Sequence, residues 1–473
     1  MKRIQYLLVF VLLSTPCIAA KIDRKVLVTR HNPTIKMVDP LASLSVGNGN
    51  FAFTVDVTGL QTFPEQYAQG VPLGTQSYWG WHSFPNTKGY IFDEVLKTYD
   101  FGRGHLESYP VLFNKKGRQQ DAVNYLRANQ HRLHLGTVGL ELLDKDGKPV
   151  QVEDISDINQ QLNLWTGIID SRFSIAGTPV EVKSFCHPDK DLIAGRIISD
   201  LIPRKQVALK LRFAYPTGKE VDDGCDWNQR DKHISKIIQQ DDQQLVIERI
   251  LDKTTYYVRV CWKGKMTVSE KGPHYFILSP SSKDVQFTVE FMPSLSMSLP
   301  PAFADSQKET VQYWKNFWNN GAAVDLSGSE DMRANELERR IVLSQYLTAI
   351  QCSGYEPPQE TGLTYNSWYG KFHLEMHWWH AVHFALWNRL DLLERSLDWY
   401  TKVESVAKQT AEHQGFDGVR WMKMTDPSGQ ESPSGIGPFL IWQQPHFIYM
   451  AELIYRQKQS EEVLEKYKHL VFE

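Results

Sequence analysis

The sequence predicts a multi-domain α and β protein: a large antiparallel β-sandwich, then a helical linker, then antiparallel helices. Three observations predict it. Residues 21–300 carry short apolar runs at a period of two, punctuated by turn residues. Leu299-Pro-Pro301 is a breaker cluster. Beyond it, apolar residues recur at the helical spacing. With 473 residues the chain has room for about two to four domains.

The elements follow in order. Residues 1–20 read as a secretory signal, with Lys2 and Arg3 ahead of an apolar run from Tyr6 to Leu13 and small residues at Ala19 and Ala20. Cys17 follows Ser14-Thr15-Pro16, a poor lipobox. Export to the periplasm or the outside is therefore expected. The strands come next. Val207 to Phe213 alternates, with Lys210 and Arg212 on the side opposite Val207, Leu209, Leu211 and Phe213. Phe287 to Phe291 alternates the same way, and 179–185, 192–198 and 256–262 are β-branched or aromatic runs. Gly147-Lys-Pro and Ala176-Gly-Thr-Pro179 mark turns, and no sustained helical period is visible in this half. Such a pattern reads as an antiparallel sandwich.

Residues 301–330 form the linker, where Val311 to Trp318 is helical with Tyr313, Trp314, Phe317 and Trp318 clustered. In 331–473 the spacing predicts helices over 336–352 (Leu343, Leu347, Ile350), 374–388 (Leu374, Trp378, Ala381, Ala385), 391–407 (Leu393, Leu397, Tyr400, Val403) and 445–456 (Phe447, Ala451, Ile454). A last helix starts near Glu461. About 140 residues supply roughly five helices, a small bundle or part of something larger.

Composition excludes several functions. Net charge is −3, so no basic excess favours nucleic acid or an anionic membrane surface. No stretch is long and apolar enough for a membrane span. Five cysteines are too few for a disulfide scaffold, and without CxxC spacing a zinc ribbon is excluded. Buried free thiols are the expected state of Cys186, Cys225, Cys261 and Cys352. Aromatic residues make up 12% of the chain, including 14 Trp, so their placement matters: rings either fill cores or stack on flat ligands.

One segment concentrates them. Gly362 to His380 holds Tyr365, Trp368, Tyr369, Phe372, Trp378 and Trp379 around His373, Glu375, His377 and His380. A loop leads into a helix here, which sets polar groups at a rim where ligands bind. Rings stack on the C–H face of a pyranose while carboxylate and imidazole groups hold its hydroxyls. The alternative for Trp378 and Trp379 is core packing. His373 and His377 stand four apart, but His-x-Glu-x-His is not the metalloprotease order and no third ligand is evident, so no metal is assigned. No cofactor is implied. A second segment, Gly415 to Gly435, is a long polar loop anchored by Trp421 and Met422, with Asp417, Asp426 and Glu431 as candidate hydroxyl acceptors. Asp426-Pro427 reads as a turn. A third, Ser45 to Phe53, contains Gly-Asn-Gly-Asn but lacks the phosphate-loop ending and precedes a strand, so it reads as a tight turn.

In this order the three segments resemble the six-hairpin glycosidases, in particular glycoside hydrolase family 65 and its relatives. Val46-Gly-Asn-Gly-Asn50 looks like their early turn. Trp368-Tyr-Gly-Lys-Phe-His-Leu-Glu375 is similar to their Tyr-x-Gly-His-x-Phe-Trp-Asp segment, which lines the sugar subsite. Lys371 takes the His place, His373 the Phe place, Leu374 the Trp place and Glu375 the Asp place. Gly418-Val-Arg-Trp-Met422 with Gly429-Gln-Glu431 looks like the Gly-Ala-Arg-x-Pro-Trp segment and its Gly-Glu, and Trp442-Gln-Gln-Pro-His446 like the stretch that opens the next helix. Leu374 and Glu375 depart from the pattern, which implies a different sugar or pose. A family 95-like fucosidase fits less well, since Lys371 and His373 stand where that family has Asn-x-Asn.

The resemblance implies a supersandwich followed by a partial (α/α)6 barrel. It implies an exported glycoside hydrolase that inverts the anomeric centre, with a carbohydrate substrate and with Trp368, Lys371, His373, Glu375, Trp378, Trp421 and Glu431 binding it. The general acid of such a reaction is expected beyond residue 473, which makes the chain the front part of a longer enzyme. A glycoside phosphorylase and a non-catalytic glycan-binding fragment are the alternatives.

Overall fold

The computed structural model describes residues 21–473. The signal-peptide reading of residues 1–20 lies outside the described residues. The strand-forming half and the helical half are both present. A nine-stranded antiparallel sheet runs in the order Thr34–Ile35, Ile155–Asn163, Ile168–Ile175, Thr178–Cys186, Leu192–Ile198, Asp284–Met292, Thr254–Trp262, Gln244–Leu251 and His233–Gln240. A second sheet is made of Met266–Gly272, Tyr275–Pro280, Val207–Arg212 and Thr137–Leu142. Their apolar faces share one core with Phe173, Val258, Val289, Leu209 and Leu278. Successive side chains of a strand point to opposite faces, so alternation is what lets one face be buried.

Lys210, on the side opposite the apolar stripe of its strand, is buried as well, with its Nζ donating to the carbonyl of Thr62 at 2.8 Å. The strand-rich half also contains a helix, α1 (Arg118–Ala128). Its only buried residues are Ala122 and Val123, too little apolar surface to register as a period.

The chain turns helical after Met292. The elements are α2 (Phe303–Asn319), α3 (Ala334–Cys352), α4 (Leu374–Leu386), α5 (Leu390–Glu394), α6 (Asp398–Lys402), α7 (Glu404–His413), α8 (His446–Lys458) and α9 (Glu461–Phe472). Two expectations are corrected. The helix expected over 391–407 is three short ones. Its stripe of Leu393, Leu397, Tyr400 and Val403 is buried as read, but at the joins backbone bonds tighten to i→i−3, from Leu397 N–H to Glu394 O and from Tyr400 N–H to Leu397 O. In α3 one residue of the expected stripe is turned out: Leu347 is 41% exposed, while Ile350 is buried, Leu343 is half-buried, and the buried face also carries Val342, Tyr346 and Ala349 beside two polar residues. Glu338 is buried against Arg30 and His31, and Gln345 accepts from Arg389. Buried polar groups with partners are stable, but they blur a hydrophobicity pattern.

The Gly-Asn-Gly-Asn turn joins the two halves. Strands Leu44–Gly47 and Phe51–Val55 pair through it. Asn48 Oδ1 accepts from the N–H groups of Asn50 and Phe51, and Gly49 N–H donates to Ile350 O at the end of α3. Gly49 has φ +92°, and a Cβ there would strike Ser353. The tight turn therefore seats α3 on the sandwich. The four cysteines among the described residues are free thiols, Cys186 and Cys352 buried, Cys225 and Cys261 half-buried.

Candidate functional site

The site is built where the loop after α3 returns to start α4. Its backbone makes a hook: Trp368 (φ +51°), Tyr369 (φ +62°) and Gly370 (φ +68°) are consecutive left-handed residues. Two of them carry side chains, a conformation costing about 1–3 kcal/mol each that surroundings must hold. Here the sandwich holds it. Asn366–Ser367 pairs with Val221–Asp222, Asn366 Nδ2 donates to Lys219 O at 3.1 Å, and Tyr369 N–H donates to Glu220 O at 3.0 Å. A Cβ on Gly370 would overlap that of Arg132, so only glycine fits.

A small ladder follows. Phe372–His373 pairs with Met424–Thr425, and single bridges add Gln359 beside Phe372 and Glu431 beside Thr425. This ladder brings the two polar segments together, although they are fifty residues apart in sequence. Phe372 anchors it, edge-on to Trp81 at 5.5 Å and to Trp399 at 5.4 Å.

Around the start of α4 the polar side chains converge. Glu375, in its first turn, has Oε1 3.0 Å from Lys423 Nζ. A carboxylate in a first helical turn also sits favourably in the helix dipole. The same ammonium lies 5.1 Å from the centre of the half-buried Trp368 ring. His373 packs 5.8 Å from that ring, with Nδ1 3.0 Å from Glu360 Oε2. The His373 hydrogen bond, ahead of other causes, holds the Glu360 carboxyl below its ordinary range, so it is ionised at neutral pH. His380 Nε2 donates to Glu360 O at 3.1 Å, and burial lowers His380 to about 4. His446, opening α8, donates from Nδ1 to Leu374 O at 3.0 Å. The outcome is a half-open patch holding an indole, two carboxylates and an ammonium. Such a set accepts and donates hydroxyl hydrogen bonds beside a stacking face.

The structure brings Trp368, His373 and Glu375 together. Trp378 lies one turn along α4, half-buried between Trp379 (4.8 Å) and Tyr449 of α8 (6.0 Å). The other three lie elsewhere. Lys371 is buried: its Nζ donates to Leu126 O (2.7 Å) and Asn129 O (2.9 Å) at the C-terminal end of α1, and burial lowers it to about 8. It closes a helix end. Trp421 is 4% exposed, edge-on to Tyr400 at 4.8 Å, with its carbonyl held by Gln443 and Gln444. Glu431 is 3% exposed, and neither of its oxygens has a hydrogen-bond partner. Burial pushes its carboxyl well above the usual range, with nearby Arg420 opposing. Asp426 is a turn former as read, accepting from Ser428 and Gln430 N–H groups.

The histidines do not converge on a metal. His377 bonds Tyr400 Oη and Ser396 Oγ, both at 2.9 Å, away from His373, and burial lowers it to about 3. Sequence reading missed Glu360 and Lys423. Glu360 follows Pro357-Pro358 in a loop without period. Lys423 sits between Met422 and Met424, an alternation that would have turned it out of the core.

The sandwich, the linking helix and the antiparallel helical pairs define a six-hairpin-glycosidase-like fold. Among solved structures the chain is similar to a human-microbiome protein assigned as a kojibiose phosphorylase, with a TM-score of 0.62 and 11% identity, over 92% of this chain and 57% of that one. It thus spans little more than half the length of that protein. Looser superpositions exist on a bacterial glucoamylase complexed with acarbose (TM-score 0.45, 12% identity, 71% and 51% of the two chains) and on a family 92 α-mannosidase from Bacteroides thetaiotaomicron (0.28, 9%, 93% and 58%). No family model matches the sequence, and no curated protein aligns with it significantly. At 11% identity the likeness to the first of these is one of fold. No helix among the described residues is long and apolar enough to cross a membrane.

Proposed function

We propose that the chain is an exported carbohydrate-active protein of the glycoside hydrolase type, acting on glycosidic bonds with inversion. One observation carries this reading. The Glu375–Lys423 pair, 3.0 Å apart, flanks the half-buried Trp368 indole at the start of α4. The indole would stack on a sugar face. Glu375 and Glu360 would accept hydroxyl protons, and Lys423 would donate to a ring or hydroxyl oxygen. These groups bind and orient; holding a substrate in reacting geometry is itself a large part of catalysis. The sequence resemblance to family 65 supports the substrate class, and Lys2 and Arg3 ahead of the apolar run from Tyr6 to Leu13 support export.

The test is product analysis on the full-length gene product with kojibiose, maltose and maltotriose, with and without inorganic phosphate. Free reducing sugar that does not depend on phosphate is expected, with about a hundredfold less from Glu375→Gln. Absence of both binding and cleavage of every glycan offered sinks the reading. A glycoside phosphorylase is the second reading, favoured by the superposition on the protein assigned that activity; sugar phosphate formed only with added phosphate would establish it. Glycan binding without any product would mark a non-catalytic binder.

A further inference from the structure

A second cleft lies at the junction of the sandwich and the helical half, apart from the groups around α4. It has a volume of about 260 Å³ and is lined by Asn50, Tyr78, Asp191, Glu290, Tyr355 and Arg395, among others. Its walls are built. Asp191 Oδ2 accepts from Ser77 Oγ (2.5 Å) and from Trp79 Nε1 (2.6 Å). Tyr355 is positioned by its N–H, which donates to Asn50 Oδ1 at 3.0 Å. Its ring is 51% exposed and stands edge-on to Tyr78, with centroids 5.9 Å apart.

Glu290 supplies the observation that points to a ligand. The residue is 6% exposed, and its Oε2 accepts no hydrogen bond. Arg259 Nη1 is 3.6 Å away and Lys190 Nζ lies 3.8 Å from Oε1, so charge is balanced without a hydrogen bond. Arg259 Nη1 and Nη2 donate instead to the carbonyls of Ser298 and Ser296. A buried carboxylate oxygen without a donor is costly, and a hydroxyl donor would relieve it. A metal ion fits less well, since Arg259 and Lys190 already offset the carboxylate. Burial raises Asp191 to about 7, so near neutral pH it both accepts and donates. Aromatic faces beside paired donors and acceptors suit a neutral polyol ring.

We infer that this cleft is a second sugar subsite, taking one neutral pyranose between the tyrosine rings and the carboxylates of Asp191 and Glu290. The ligand class rests on the carbohydrate-active reading above; the site itself rests on its own geometry. The loop that carries Tyr355 runs on to Glu360, so the two sites share one segment of chain.

The test is saturation-transfer NMR on the full chain with D-glucose, D-galactose, D-mannose and maltotriose as probes. Wild type, Glu375→Gln, Tyr355→Ala and Glu290→Gln are compared, with thermal melts as a control on folding. At least one probe should still bind Glu375→Gln, in which the main site is weakened, and that binding should weaken about tenfold or more when Tyr355→Ala or Glu290→Gln is added to it. Tyr355 is exposed, so its truncation should leave the melt unchanged. Binding lost in Glu375→Gln but untouched by both cleft variants overturns this inference and leaves the main site standing. No binding of any probe to wild type also overturns it, while the cleavage assay decides the first reading separately.

Discussion

Two clusters of polar and aromatic residues flank the same small ladder, and they behave differently. On one side Trp368, Glu375, Lys423 and Glu360 are half-open. On the other Lys371, Trp421 and Glu431 are sealed. Both have the composition of a binding site. What separates them is where the hook and the ladder point each side chain. The open groups pair with one another and keep capacity for a ligand. Lys371 spends its donors on the backbone of α1, and Glu431 is sealed from solvent, with its carboxyl pKa pushed up by burial. Charge within an aromatic segment is thus as much a mark of internal capping as of chemistry.

The largest effect on this contrast is expected from Gly370→Ala. A methyl group would overlap Arg132 and force a left-handed residue, costing about 3 kcal/mol or more. Denaturant unfolding should show the loss, and glycan binding should vanish with the hook. If stability and binding both survive, the hook is not what divides open from sealed.

Glu375→Gln probes the open side. Product formation should fall about a hundredfold while stability changes by less than about 2 kcal/mol, because the Lys423 pair is only partly buried. Equal losses in both would make Glu375 structural. Lys371→Met probes the sealed side with the opposite pattern. Two carbonyls lose their donor, at about 1–3 kcal/mol in urea unfolding. Glycan affinity per folded molecule should stay the same, and a drop in affinity would move Lys371 back into the site.

The smallest effect concerns Glu431, and it carries a sign. Its folded-state pKa is raised. As pH rises past the ordinary carboxyl value, the unfolded chain loses a proton that the fold retains, so stability falls with rising pH. Glu431→Gln removes that slope. The melting temperature of the variant should match wild type near pH 4 and exceed it increasingly toward pH 7. A variant less stable at pH 7 would mean that the carboxylate is ionised and paired in the fold.

Much of this was legible in particular residues. The strands at 207–212 and 284–292 were visible in their alternation, those at 178–186 and 192–198 as β-branched or aromatic runs, and the turn at 48–50 in its Gly-Asn-Gly-Asn sequence. Trp368, His373 and Glu375 were visible as a cluster because they are adjacent in sequence. Glu360 and Lys423 were not, since each reaches the site from a separate loop and such a contact leaves no local pattern. α1 was missed because it buries only two small side chains, and the break in the 391–407 helix because the stripe itself continues through it.

By itself the sequence determined the division into a strand-rich and a helix-rich half, because backbone periodicity is a local property that side-chain spacing must match. It also determined which segments are dense in rings and charge. Only the tertiary structure decided which of those groups face a ligand. That choice depends on the sandwich loop at 219–222 clamping the hook and on the ladder joining residues 372 and 425. Both are long-range pairings, and the direction of a side chain at such a junction is set by the partner strand rather than by its own neighbours.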